Sequence, residues 1–199
     1  MPEPNPLPLA QALTERTNRL CIGLEHGDAE ILELVTPTTA ELLRWWFGED
    51  ACASRAMNFH AGQRQAILNA IVAHEVVGAG DLKQLYEQVC AIALLEDGRL
   101  DEIAQDKHAH PKYCLKMATG TGKTWVLQAL LIWQLLNKSA ALAEGRNDER
   151  FTRHFLIVAP GLIVYERLLD AFLGKEREGG VRDFATSDIA ACAELFMPP

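Results

Sequence analysis

Positive charge is scarce in this chain. Its 19 lysines and arginines stand against 27 aspartates and glutamates, a formal net charge of −8, which excludes a wholesale cationic surface for nucleic acid and leaves room for a local basic groove. Paired cysteines are missing too. Cys21, Cys52, Cys90, Cys114 and Cys192 are odd in number and none stands in a CxxC pair, so the spacing argues against a disulfide framework and a zinc knuckle and reads as scattered buried thiols in a reducing cytoplasm. The six histidines are dispersed, without metal-ligand spacing. No apolar run is read as long enough for a membrane span, and the start MPEPNPLPLAQAL has too many prolines and too short an apolar run for a signal peptide. Low-complexity tracts and fixed-period repeats are also absent. What remains is a globular composition, 49% apolar over 199 residues, enough for one ordinary domain with a small appendage.

Along the chain, RLCIGLE and EILELVT are short β-prone runs separated by HGDA, a pattern that predicts a hairpin and hence a small N-terminal β element. In TPTTAELLRWWF, Thr38 or Thr39 can cap a helix carrying Leu42, Leu43, Trp45 and Trp46. GEDACASRAMNFH then reads as a connector, and GQRQAILNAIVAHEVV places Ala66, Ile67, Ala70 and Ile71 on one helical face. A second unit is expected to begin there, dividing the chain into 1–58 and 59–199. Asp81 caps a further helix with Leu82, Leu85, Val89 and Ile92 at helical spacing. HPKYCLKM and HFLIVAP have no helical period and read as buried parallel strands, with helices from Lys123 to about Leu136 and over LIVYERLLDAFL. NKSAALAEGRNDERFTR reads as an exposed connection between them. The order strand, loop, helix, strand, helix predicts a right-handed βαβ unit within a parallel sheet, so the expected fold class is α/β.

Between the first strand and its helix lies Gly120-Thr121-Gly122-Lys123-Thr124. Such glycines let consecutive backbone N–H groups turn toward phosphate oxygens, and the helix N-terminus adds the positive end of its dipole. Lys123 would reach the β and γ phosphates and Thr124 would offer its hydroxyl to Mg²⁺. The first position of the full P-loop pattern is Met117 rather than Gly.

With Ala118 and Thr119 in front, KMATGTGKT resembles the first motif of superfamily 2 helicases and translocases, in particular the family containing the Res subunit of type III restriction enzymes and the UvrB N-terminal domain. Across about residues 59–173 two further segments support the resemblance. GQRQAILNAI is similar to the segment whose glutamine reads adenine, which implies that role for Gln63, although Gly62 stands where an aromatic is usual and Phe59 is the nearest ring. FLIVAPGLIVYERL resembles the motif whose turn presents backbone N–H groups to a nucleic-acid phosphate, which implies contacts at Pro160 and Gly161. Many members carry a hydroxyl residue where this chain has Gly161.

The resemblance implies a partial RecA-like P-loop lobe behind the N-terminal β-containing appendage. Thr119, Gly120, Thr121, Gly122, Lys123, Thr124 and Gln63 would hold ATP, with Lys123 also catalytic and Mg²⁺ on Thr124. It also implies a parent DNA helicase or translocase, a hydrolase acting on double-stranded DNA in the cytoplasm, with a methyltransferase or specificity subunit as partner and no membrane. Hydrolysis in that family needs an Asp-Glu at a strand end. Asp148-Glu149 lies in a polar connector and Glu96-Asp97 precedes the loop, so the chain is expected to be the front part of such a motor, binding ATP without turning it over. Other readings are a non-catalytic nucleotide-binding or interaction module and an RNA helicase fragment.

Overall fold

The computed structural model describes residues 7–96 and 99–198. Part of the proline-rich start and Asp97 of the Glu96-Asp97 pair lie outside them. In chain order the helices are α1 (Pro8–Leu20), α2 (Ile31–Leu34), α3 (Pro37–Phe47), α4 (Glu49–Ala53), α5 (Ala61–Ile71), α6 (Leu82–Cys90), α7 (Arg99–Ile103), α8 (Lys123–Ala143), α9 (Leu162–Leu173), α10 (Asp188–Ala191) and α11 (Ala193–Phe196). The strand pair among the described residues is β1 (Lys175–Glu176) with β2 (Arg182–Asp183), antiparallel, Lys175 opposite Asp183.

The N-terminal hairpin is not formed. Leu9, Leu13, Thr17 and Leu20 fall on one side of α1, with Thr17 and Leu20 buried, and Asn69 of α5 donates to Thr14 Oγ1 at 3.0 Å. An isolated two-stranded ribbon would bury little, whereas an amphipathic helix lying on α5 and α6 buries a whole face. The run predicted as the second strand contains α2 instead, and Gly23 and Gly27, at φ of 83° and 81°, bound a short 3₁₀ turn between α1 and α2.

The cap of α3 also differs from expectation. Pro37, with its fixed φ, takes the first helical position, which moves the cap back to Thr36, whose Oγ1 accepts from the Thr39 N–H at 3.2 Å. Thr39 is freed to donate its hydroxyl to Glu75 at 2.8 Å. Helices α5 and α9 and the Asp81 cap follow the sequence pattern, but α6 ends at Cys90, and Ile92, expected on its apolar face, lies in a 3₁₀ turn and is exposed. Helix α8 runs seven residues beyond Leu136 because KSAALA is itself helix-favouring, and it buries Asn137 and Ala141. By length and composition α8 is long and apolar enough to cross a membrane, a feature the sequence reading missed. Its Val126, Ala129, Ile132 and Trp133 are buried within the protein.

One core joins α1, α3, α5, a π-helical continuation of α5 (Val72–Val77), α8 and the C-terminal segment, running through residue 58 without a break. Trp46, fully buried, meets Phe47 and Phe59 edge-on at 6.2 and 6.0 Å, and Phe59 meets Phe196 at 6.1 Å. Trp46 Nε1 donates to Phe196 O at 2.9 Å. Buried Arg55 donates to the carbonyls of Trp46, Glu194 and Leu195 at 3.3 Å each, so polar contacts fasten the tail where α11 enters the core. A second polar centre lies in the π-helical turn, where Glu75 accepts from Thr36 N–H, Thr39 Oγ1 and Trp133 Nε1.

The two segments expected to be parallel strands are not paired. Residues 110–118 and 154–159 have no strand hydrogen bonds, and Leu156 and Val158 are 89% and 80% exposed. Both still alternate. Tyr113, Leu115 and Met117 line one cavity against α8, while Phe155, Ile157 and Ala159 line a groove beside α8 and α9. A helix satisfies its own backbone, but a strand needs a neighbour in register, and none of the described residues supplies one to either segment.

Candidate nucleotide site

Helix α8 opens with Lys123, directly after Gly122. Gly120 and Gly122 sit in the left-handed region at φ of 80° and 67°, a conformation that costs glycine little. The turn is held from within by Thr121 Oγ1, which donates to Ala118 O at 2.7 Å. Lys123 folds back over it, its Nζ donating to Met117 O and Ala118 O at 2.9 and 2.7 Å. The ammonium therefore lies over the loop mouth, held by neutral carbonyls that a triphosphate's charge can outcompete. No protein acceptor takes the backbone N–H of Gly120, Thr121, Gly122 or Lys123 among the described residues. Unused donors, a helix N-terminus and an exposed ammonium form a donor set that fits a polyphosphate.

Gln63 is brought to this loop, although 59 residues separate it from Gly122. It is 2% exposed. Its Nε2 donates to Thr121 O and Gly122 O at 3.3 Å each, and its Oε1 accepts from His60 N–H at 3.0 Å in a capping box at the start of α5. A Cβ on Gly122 would lie 2.3 Å from Gln63 Nε2, so Gly122 serves both the turn and this approach. Phe59, the ring nearest Gln63 in sequence, is packed into the core against Trp46. Arg64, the residue after Gln63 in α5, pairs with Glu25 at 2.6 Å and lies over Phe47. The Glu25 carboxyl is held below its usual range, first by its own backbone N–H and then by Arg64.

His60 was missed by sequence reasoning. Its Nδ1 accepts from Gly62 N–H and Gln63 N–H at 3.1 and 3.3 Å, and its Nε2 faces Thr121 O at 3.0 Å. The spacing His-x-x-Gln is that of a capping box, but histidine is not among the usual capping residues, which hid the signal.

Pro160 and Gly161 stand apart from the loop, at the start of α9. Gly161 is the N-cap residue and its carbonyl accepts from Tyr165 N–H at 2.9 Å. Asp148 is engaged by its own turn: Arg150 donates to it from Nε and Nη2, at 3.0 and 2.7 Å in the closest contacts, and holds its carboxyl below the usual range. Beside the loop is a cavity of about 660 Å³ lined by Met117, Lys123, Trp133, Glu149 and Phe151 among others.

The family model of the type III restriction enzyme Res subunit matches residues 56–193. The chain belongs to that family. The match takes in Gln63, the glycine loop, α8 and α9 and reaches the tail at α11. Searches of curated proteins and of solved structures return no match. Membership in the Res family implies a RecA-like P-loop fold and a helicase-like, nucleotide-binding module, a class whose domains use ATP and Mg²⁺. In this Res-family chain the loop after Met117 carries the donor set described above. Bound there, Mg²⁺ would supply charge neutralisation to the phosphates.

Proposed function

We propose that this chain is the ATP-binding part of an ATP-driven motor that moves on double-stranded DNA. The observation that carries the reading is the loop Ala118–Thr124: two left-handed glycines, unused N–H donors and a lysine at the first turn of α8. In this reading Thr119 to Lys123 cradle the phosphates, Lys123 leaves Met117 O and Ala118 O for the β and γ phosphates, and Thr124 takes Mg²⁺. Gln63 is buried and holds the loop through Thr121 O and Gly122 O, so the adenine-reading role requires its amide to leave those carbonyls. Residues 110–117 and 154–160, already alternating, are the strands of a parallel sheet that further strands complete. Pro160 and Gly161 then present the start of α9 to a DNA phosphate.

Residues 1–58 are the N-terminal appendage to the motor lobe at 59–199 and share its core. The setting is cytoplasmic, with a methyltransferase or specificity subunit as partner. Hydrolysis needs a carboxylate free to hold a metal's water. Asp148 is spent on Arg150 and Asp148-Glu149 stands in a connector rather than at a strand end, so in this reading the chain binds ATP and leaves turnover to carboxylates elsewhere in the assembly. Competition of ATP, GTP and CTP against a fluorescent ATP analogue, with phosphate release followed in parallel on double-stranded DNA, tests the reading. ATP is expected to compete best, without phosphate release. Equal competition by all three, or rapid release abolished by Lys123→Ala, would overturn it.

A second reading, an interaction module docking on another chain, draws on the exposed apolar residues Leu156, Val158, Leu162 and Ile163. A stoichiometric partner that persists in native mass spectrometry would favour it.

A further inference from the structure

We propose that His60 is a positioning residue for the nucleotide loop, setting the direction of the Gly122 N–H that meets phosphate; the inference rests on the nucleotide-binding reading above. In a trans peptide the C=O and N–H point in opposite directions. The carbonyl of Thr121 shares its peptide plane with the N–H of Gly122, and the carbonyl of Gly122 shares its plane with the N–H of Lys123. The Thr121 carbonyl is drawn toward the first turn of α5, while the Gly122 carbonyl is also held in α8, accepting from Trp125 N–H at 3.0 Å and Val126 N–H at 3.4 Å. His60 Nε2 lies 3.0 Å from Thr121 O, and Gln63 Nε2 lies 3.3 Å from Thr121 O and from Gly122 O. The N–H group of Gly122 is thereby turned away from α5, where no acceptor among the described residues takes it.

The ring can do this in one form. Nδ1 faces the N–H groups of Gly62 and Gln63 and must accept from both. The ring proton therefore sits on Nε2, the atom that faces Thr121 O. Capping alone does not require a histidine, since Asn, Asp, Ser or Thr caps as well or better. Those side chains offer no second nitrogen on the far side of a ring, and that second atom is what spans the gap from α5 to the loop. Gly62 makes room for the arrangement: a Cβ there would lie 3.2 Å from His60 Cε1 and 3.4 Å from Nδ1. One side chain thus caps α5 and fixes the loop, while Gln63 completes the hold from the next position of the capping box.

His60→Asn separates the two tasks, because asparagine keeps the cap and loses the reach to Thr121. Affinity for Mg-ATP, from displacement of the fluorescent analogue, and the melting temperature are measured for the native chain, His60→Asn and His60→Ala. The native ring is examined by long-range ¹H–¹⁵N NMR without nucleotide. The expected result is a His60→Asn variant that melts within about 2 °C of native and binds ATP about five- to tenfold more weakly, the loss of roughly one hydrogen bond's net contribution. His60→Ala should lose both affinity and melting temperature, and the native ring should carry its proton on Nε2. Native-like ATP affinity in His60→Asn, or a ring protonated on Nδ1, would overturn the positioning role while leaving nucleotide binding in place. Absence of ATP binding by the native chain would remove both readings together.

Discussion

The helical half of this molecule and its two extended segments treat apolar side chains in opposite ways. Around α3, α5 and α8, Trp46, Leu43, Ile67 and Ile71 are sealed from water, whereas in 154–159 Leu156 and Val158 are left on the surface. Both regions are rich in apolar residues, so composition is not the cause. Helices close their own backbone hydrogen bonds and need only a face to pack. Extended chain needs a partner for its backbone before its side chains can be covered. The nucleotide loop lies at the border, with extended chain on one side and α8 on the other, and α5 holds it from the helical half.

The largest test of this contrast is Trp46→Ala, which removes the centre of the aromatic group and the donor to Phe196 O. Chemical denaturation should show a loss of about 3–5 kcal/mol. Next comes Glu75→Ala, which leaves Thr39 Oγ1 and Trp133 Nε1 without their carboxylate acceptor, and a loss of about 2–3 kcal/mol is expected by the same method. On the other side of the contrast, Leu156→Ser should change stability by less than about 0.5 kcal/mol and reduce binding of a hydrophobic dye. A loss as large as that of Trp46→Ala would show that 154–159 is packed after all.

The smallest effect is chemical. Burial pushes the Cys21 thiol up to about 11, with Arg64 opposing part of the rise, while Cys114 is exposed in the unpaired segment. Iodoacetamide at pH 8 followed by peptide mapping should label Cys114 first. Cys21 should gain thiolate, and hence reactivity, only as pH climbs from 9 toward 11.

Much of the helical half was legible because periodicity and caps are local. The face of α5, the start of α8, the Asp81 cap and the Gly120–Thr124 turn can all be read from neighbouring residues. The N-terminal hairpin was misread for the opposite reason. RLCIGLE is short and β-prone, and only its packing on α5 and α6 shows that Leu20 closes a helix. The cap of α3 moved because Pro37 outranks the threonines after it. At the site, the glycines and Lys123 were visible as a pattern, but the hold of Gln63 and His60 on Thr121 joins residues about 60 apart in sequence. The Glu75 centre in VAHEVV was equally hidden, since its partners come from α3 and α8.

The central claim, that the loop before α8 grips a nucleoside triphosphate through Lys123, is tested most directly by calorimetric titration of Mg-ATP into the native chain and into Lys123→Ala. Saturable binding of one nucleotide per native chain, lost in a variant with an unchanged melting temperature, is the result this account predicts. Heat of binding that survives the substitution, or none in the folded native chain, would contradict it.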